Sequence, residues 1–475
     1  MYTAKMRVRH AILRAGCASL ALSALAYGGF YEQSLAANTL EVTAAQTPAG
    51  AVRAWNLNCE KIAVSLGTPP PVIGLDFAIL HAATFDAVMA NDGAYNPYHV
   101  IVTGATGSPI AAVSAAARDV LKNLFPSREA TVDAMYASYL SSQGIDPADP
   151  GIAIGEQVAE GIIELRSHDG RFPVPAPVFL GNDSIGQWRP TPSDTPLSCS
   201  PPAPRGFLPM LLPWVARVTP FTMDAPDQFI PDPPPVLDSV EWAADYNEVK
   251  ALGSCESTAR TADQTQIGYF WADGGPVLWQ RASRDLSARY LTNLADEARM
   301  FALVGLAMAD ASISVWSAKI RYNFWRPITA IRLGDLDGTE ATVADPTWTP
   351  LLNTPNFPEY TSGHTTSTGA VIRVLQQFFG TDQLTFTVKS KHPYAQPKLP
   401  DPDGGSSVPR TFNKFSDAMK EIIDARVFVG IHSARRTEWV ARWVFASVTT
   451  RSRTTSVRSA RRDSARDEEV VTKYP

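Results

Sequence analysis

Between residues 51 and 143 apolar positions recur at steps of three and four, as in "GLDFAILHAATFDAVMAND" and "SPIAAVSAAARDVLKNLF", and alanine is abundant. That period puts the apolar side chains on one stripe of a helix, and alanine has no side-chain entropy to lose there. A further helix is predicted over 152–167. The next section, 171–235, holds 17 of the 38 prolines. Proline has no backbone N–H to give a helix or a central strand, so this section is expected to be irregular. It carries Trp188, Phe207, Trp214, Phe221 and Phe229. Such aromatic content favours packing on the body of the protein over a free linker. Helical patterning returns at "DSVEWAADYNEVKALG", and one long helix is predicted over 283–325, stopped by Pro327. A proline disfavours helical backbone at the residue before it. No run alternates for long enough to predict a sheet, and no repeat at solenoid periods appears. The pattern predicts a mainly α protein, a helical bundle with a long Pro-rich irregular section.

Composition refines this picture at the ends. The chain has 475 residues, 45% hydrophobic and 19% charged, with a net charge of −5. It lacks the basic footprint of a nucleic-acid binder, and no apolar run reaches the ~18 residues that would predict a membrane span. The N-terminus is basic (Lys5, Arg7, Arg9, Arg14), then apolar, then small around Ser34 and Ala36. That order is the pattern of an export signal over residues 1–36, and implies a periplasmic or secreted protein. Arg14 makes Cys17 a poor lipoprotein cysteine. The remaining Cys59, Cys199 and Cys255 permit one disulfide and one free thiol, with the pairing open. The expected organisation is then 51–170 as N-terminal helices, 171–235 as the Pro-rich section and 236–450 as a catalytic bundle, with 451–475 a basic tail. Residues 51–450 are expected to form one compact domain.

Three segments carry candidate chemistry. In "WSAKIRYNFWRPITAIR", Lys319 and Arg326 are seven apart, two helical turns, which would place both cations on one helix face. A pair of cations is ordinarily a solvated face, but Trp316, Tyr322, Phe324 and Trp325 would make that face unusually aromatic. In "NFPEYTSGHTTSTGA", Thr361 or Ser362 can cap a helix running through "HTTSTGAVIRVLQQFF". Gly363 leaves its backbone approachable there, and a helix start favours anions. In "DARVFVGIHSAR", Arg426 and His432 are six apart and meet only if the backbone breaks between them, for which Gly430 is the place. Together these supply three cations, two histidines, a serine and a helix N-terminus, a set suited to a tetrahedral oxyanion such as phosphate or vanadate. At roughly 1.5–3 kcal/mol per charge-assisted hydrogen bond, three cationic donors give about 5–9 kcal/mol.

The order Lys319, Arg326-Pro327, Ser362-Gly363-His364, Arg426, His432 resembles the signature of the vanadium-dependent haloperoxidases. They share it with the type-2 phosphatidic acid phosphatase superfamily. The resemblance extends through "HAATFDAV", "GQWRPTP" and "DYNEVKALG". It implies that Lys319, Arg326 and Arg426 neutralise the oxygens of bound vanadate, with Ser362 and the Gly363 N–H donating further hydrogen bonds. It also implies that His432 bonds vanadium through a ring nitrogen and that His364 is the acid/base acting on peroxide. Trp316 and Phe357 stand where chloroperoxidases of the family have a halide-side wall. The implied cofactor is vanadate, with phosphate as an isosteric occupant, and the implied partners are hydrogen peroxide, a halide and a small organic acceptor. In the phosphatases the same pocket takes a phosphate ester, with His432 the nucleophile and His364 the leaving-group acid.

The chain departs from the pattern in places. Thr361 and Ala425 stand where the family usually has Pro and Ser. After His432 nine arginines fall between Arg435 and Arg466 and the apolar periodicity fades. This reads either as a basic tail or as the product of a reading-frame shift just after His432, since another frame restores an aromatic, an acid and glycines. Three functions follow: a haloperoxidase-like enzyme, an acid phosphatase using the same pocket, or a non-catalytic oxyanion-binding protein disabled by its C-terminal change. "GDLDGTE" and "DPDGG" are read as loop turns and not calcium sites, and His81 as a packed or capping histidine. No Gly-x-Ser-x-Gly elbow appears.

Overall fold

Helix α2 explains how the body is built. Its sequence, Pro70–Asp92, is apolar on every side, and 19 of its residues are buried (Pro71 to Met89). A helix apolar all round has no solvent face to show and becomes a core element. The computed structural model describes residues 50–191, 199 and 208–433. Among them are twelve α-helices and three short strands. Before α2 comes α1 (Ala51–Ser65), and after it α3 (Pro109–Leu124), α4 (Glu129–Gln143) and α5 (Pro150–Arg166). The second half holds α6 (Val240–Gly253), α7 (Ala262–Phe270), α8 (Gly275–Tyr290), α9 (Leu294–Tyr322), α10 (Pro327–Arg332), α11 (Gly363–Phe379) and α12 (Phe415–Phe428). The principal core runs from Ala51 to Ala425, so both halves of the chain contribute to it.

The central crossing is α2 on α9. Small residues allow it: a Cβ on Gly305 would lie 3.3 Å from the Ala78 backbone. By length and composition α2 and α9 are each apolar enough to cross a membrane, which corrects the expectation that no segment qualifies. Here they are interior helices, with 100% and 78% of their most apolar windows buried.

The single helix predicted over 283–325 is two. Asn293 interrupts it: its side chain accepts from the Asp296 N–H and caps α9, a local bond that competes with continuing the helix. At the far end Asn323 is left-handed (φ 43°), and Phe324 bridges to Gln187 of the Pro-rich section. Lys319 and Arg326 therefore do not share a helix face. Arg326 is the extended residue that precedes Pro327 and starts α10.

A small antiparallel sheet also corrects the sequence expectation. β1 (Phe386–Ser390) and β2 (Leu399–Pro400) flank β3 (Ser406–Phe412), with Phe386 opposite Phe412 and Ser390 opposite Val408. Five residues are too few for alternation to register, and β3 contains Pro409.

The Pro-rich section packs on the body of the protein. Trp188, Trp214 and Phe221 are buried, whereas Phe207 lies outside the described residues. Asp310 of α9 pins it by accepting from the N–H groups of Phe221, Thr222 and Met223. Arg166 of α5 donates to the carbonyls of Thr219 and Pro220. Cys199 and Cys255 form a disulfide, and Cys59 is free and buried. His81 is buried between Phe77 and Phe301 and bonds Asn56 at 2.8 Å.

Candidate oxyanion site

Each wall of the site is set by a local feature. Ser362 has extended backbone (φ −69°, ψ 118°) and its Oγ accepts from the Thr365 N–H, so Ser362 and not Thr361 caps α11. The next N–H groups, of Gly363 and His364, open the helix and have no intrahelical acceptor. A Cβ on Gly363 would meet the Trp316 ring only at 3.8 Å, so the protein alone does not crowd this position.

The opposite wall is the turn after α12. The helix ends at Phe428, and Gly430 takes φ +76°. The N–H groups of Ile431 and His432 then both fold back to the Arg426 carbonyl. The turn is wedged against the end of α6. A Cβ on Gly430 would sit 2.4 Å from the Gly253 oxygen, and one on Gly253 2.5 Å from the Gly430 Cα. After this break His432 lies against the Arg326 guanidinium.

Arg326 reaches the site from the extended link before α10. Its Nε donates to Phe357 O at 2.7 Å and its Nη1 to Ile431 O at 2.9 Å. Nη1 also lies 3.2 Å from His432 Nε2. Arginine only donates, so Nε2 accepts and carries the lone pair. Arg426, buried on the last turn of α12, donates to Trp271 O. Phe357 packs on Trp316 with ring centroids 5.2 Å apart. Lys319 and Arg326 lie over the Phe357 ring at 4.8 and 4.7 Å, a cation–π arrangement. Trp316 donates its indole N–H to Leu211 O, so the Pro-rich section closes this side.

Lys319 behaves differently from the sequence expectation. Its Nζ is fully buried and donates to Pro358 O (2.7 Å), Glu359 O (3.0 Å) and Thr361 O (2.6 Å). Burial, Arg326 and Arg426 all push the ammonium toward neutrality, while Glu359 opposes them. Three carbonyl acceptors require three N–H groups, which only the charged form has. Lys319 therefore braces the loop that presents Ser362, and its hydrogen bonds go to that loop. Toward an anion it contributes charge.

Both histidines are held neutral. Burial pushes His432 well below its ordinary value, followed by Arg326, Lys319, Arg426 and His364. Burial and then Arg426 push His364 down to about 3, against the backbone of Asp273. His364 is half-buried, and its Nε2 lies 3.2 Å from Asp273 O. A carbonyl only accepts, so Nε2 carries the proton and Nδ1 is free to take one.

Two participants were missed. Glu359 is buried, and its carboxylate lies 3.8 Å from His432 Nδ1. It sits inside the quoted stretch, but no local spacing ties it to a histidine 73 positions later. Asp273 lies before α8 and has its carboxylate on Arg281 and the Lys391 N–H. The two acidic loops are turns: Asp337 accepts from Trp242 and Thr342, and Asp401 from Lys389.

The groups present fit a small oxyanion: two buried guanidinium groups can donate, a buried ammonium adds charge, and a capping hydroxyl and helix start adjoin His364. A family model described as the "VCPO second helical-bundle domain" matches residues 299–442. The chain is 26% identical to the vanadium chloroperoxidase of Curvularia inaequalis, over 68% of this chain and 65% of the relative's length. Among solved structures it is similar to one described as the first bacterial vanadium-dependent iodoperoxidase, with a TM-score of 0.70 and 25% identity. That match covers 87% of this chain and 96% of the other. An apo-type bacterial vanadium-dependent chloroperoxidase shares the fold at a TM-score of 0.64 and 16% identity, over 89% and 97% of the two chains. The chain is thus similar to vanadium haloperoxidases, through its second helical bundle above all, and has a mainly α, helical-bundle fold.

Proposed function

We propose that this protein is a vanadate-binding haloperoxidase that oxidises halide with hydrogen peroxide. The observation that carries the reading is the Arg326 guanidinium 3.2 Å from His432 Nε2, with the buried charges of Lys319 and Arg426 also acting on that imidazole. His432 Nε2, Arg326, Arg426, Ser362 and the Gly363 N–H would hold the anion. The two arginines alone supply about 3–6 kcal/mol of charge-assisted hydrogen bonding, less than the sequence implies because the Lys319 hydrogens are engaged. When bound, vanadate supplies a Lewis acid that polarises peroxide.

The chain's own residues do the rest. The buried cations stabilise negative charge developing on oxygen. His364 Nδ1 accepts a proton from incoming peroxide and returns it to the departing oxygen. Trp316 and Phe357 keep water from one side and leave the halide an apolar, cation-backed wall. That wall favours a halide-oxidising enzyme over a phosphatase. The Cys199–Cys255 bond supports an oxidising compartment, in keeping with the export signal read at 1–36. The signal, the basic tail and the frame-shift reading all lie outside the described residues.

The test uses purified full-length protein loaded with vanadate, assayed for peroxide-dependent halogenation of a dye with iodide, bromide and chloride. Hydrolysis of p-nitrophenyl phosphate runs in parallel without vanadate. Vanadate-dependent halogenation is expected. Phosphatase turnover without halogenation would assign the pocket to phosphate esters, and binding without either activity would make the chain a non-catalytic oxyanion binder.

A further inference from the structure

We infer that Glu359 is the positioning residue of His432, fixing the ring so that Nε2, and not Nδ1, is offered to the oxyanion. This rests on the reading of His432 as the residue that bonds the anion. The two ring nitrogens face groups of opposite character. On one side the Arg326 guanidinium, a donor only, is 3.2 Å from Nε2. On the other the Glu359 carboxylate is 3.8 Å from Nδ1. At that distance the second contact is electrostatic, but both contacts select one tautomer, with the proton on Nδ1 and the lone pair on Nε2.

Glu359 is held so that it cannot turn elsewhere. It is 2% exposed. Its N–H donates to Phe324 O at 2.9 Å and its carbonyl accepts from Lys319. Its Oε1 accepts from the Ser433 N–H at 2.9 Å and from Ser433 Oγ at 3.4 Å. The same oxygen thus ties down the residue after His432 while facing the His432 ring, so backbone and side chain are fixed together. An anion taking Nε2 displaces the guanidinium from that lone pair. Glu359 is then the group left to hold the ring, the part an outer carboxylate plays for a ligating histidine.

The experiment is ¹⁵N-histidine NMR on the anion-free full chain, with the His432 signal identified by its loss in His432→Gln. Vanadate and phosphate affinities are measured by calorimetry alongside. The wild type is expected to show Nδ1–H, Nε2-unprotonated His432. Glu359→Gln keeps the shape and the acceptor for Ser433 but not the charge. It is expected to give a mixed tautomer signal and a 10–100-fold loss of anion affinity. Should Glu359→Gln fail to fold, Glu359→Asp draws the carboxylate back from Nδ1 and is read the same way. A wild-type ring protonated on Nε2, or a variant with an unchanged tautomer signal or affinity within twofold, overturns the proposal. If the wild type binds neither anion the proposed function falls, and the tautomer comparison alone then decides the part played by Glu359.

Discussion

The ammonium of Lys319 donates to the carbonyl of Thr361 at 2.6 Å, one of three such bonds that hold the loop before the Ser362 cap. Replacing Lys319 with Met leaves three buried carbonyls short of a donor. The expected cost is about 3 kcal/mol or more in anion-free protein. Urea unfolding without vanadate or phosphate measures it. A stability equal to wild type, with only anion affinity reduced, would mean that Lys319 acts on the anion and not on the loop.

Gly430→Ala is expected to misplace His432. The residue has φ +76°, and its new Cβ would sit 2.4 Å from the Gly253 oxygen. Backbone strain and overlap together should cost about 2–4 kcal/mol. Phosphate affinity, measured by calorimetry on the folded fraction, should fall at least tenfold as the Arg326–His432 contact opens.

Acid stability should depend on Glu60. Burial alone would raise its pKa, but Arg281 and Arg284 lower it to about 2 from an ordinary 4.5. The folded state therefore binds this proton less readily than the unfolded chain. The stabilisation is complete above about pH 4.5 and is lost as the pH falls toward 2, amounting to about 3 kcal/mol. Urea midpoints between pH 7 and pH 2.5 should show this fall in the wild type. Glu60→Gln should be less stable at pH 7 and flatter across that range.

Reducing the Cys199–Cys255 bond should lower stability by about 2–4 kcal/mol, because it closes a span of 56 residues in the unfolded chain. Cys199→Ser should reproduce the shift seen with dithiothreitol and be insensitive to it. A larger loss on reducing the variant than the wild type would point to Cys59 instead.

His364→Ala should keep anion binding within about tenfold while halogenation falls by about 10²–10⁴, the usual range for a lost acid/base group. Steady-state assays at saturating vanadate separate the two effects. A variant that halogenates at the wild-type rate would remove His364 from the proton transfers.

Local pattern determined much of this protein. The helices, the irregular Pro-rich section, the Ser362 cap and the Gly430 break each follow from local residues. Tertiary structure decided what depends on distant partners. Asn293 caps a new helix after the first has ended at Tyr290, because its side chain bonds the backbone, a competition that periodicity does not register. Arg326 reaches the site from an extended link and not from a shared helix face, because the chain leaves α9 at Asn323. Lys319 belongs to the loop carbonyls, since packing sets three of them within hydrogen-bond reach of its ammonium. Glu359 lies 73 positions from His432 and meets it only in the fold, where its carboxylate also takes the Ser433 N–H. The sequence alone pointed to the cations and histidines of the site, but not to Glu359 or Asp273. The fold decided which of them face the anion and which hold the walls, because a buried donor must be satisfied by whichever acceptor packing brings to it.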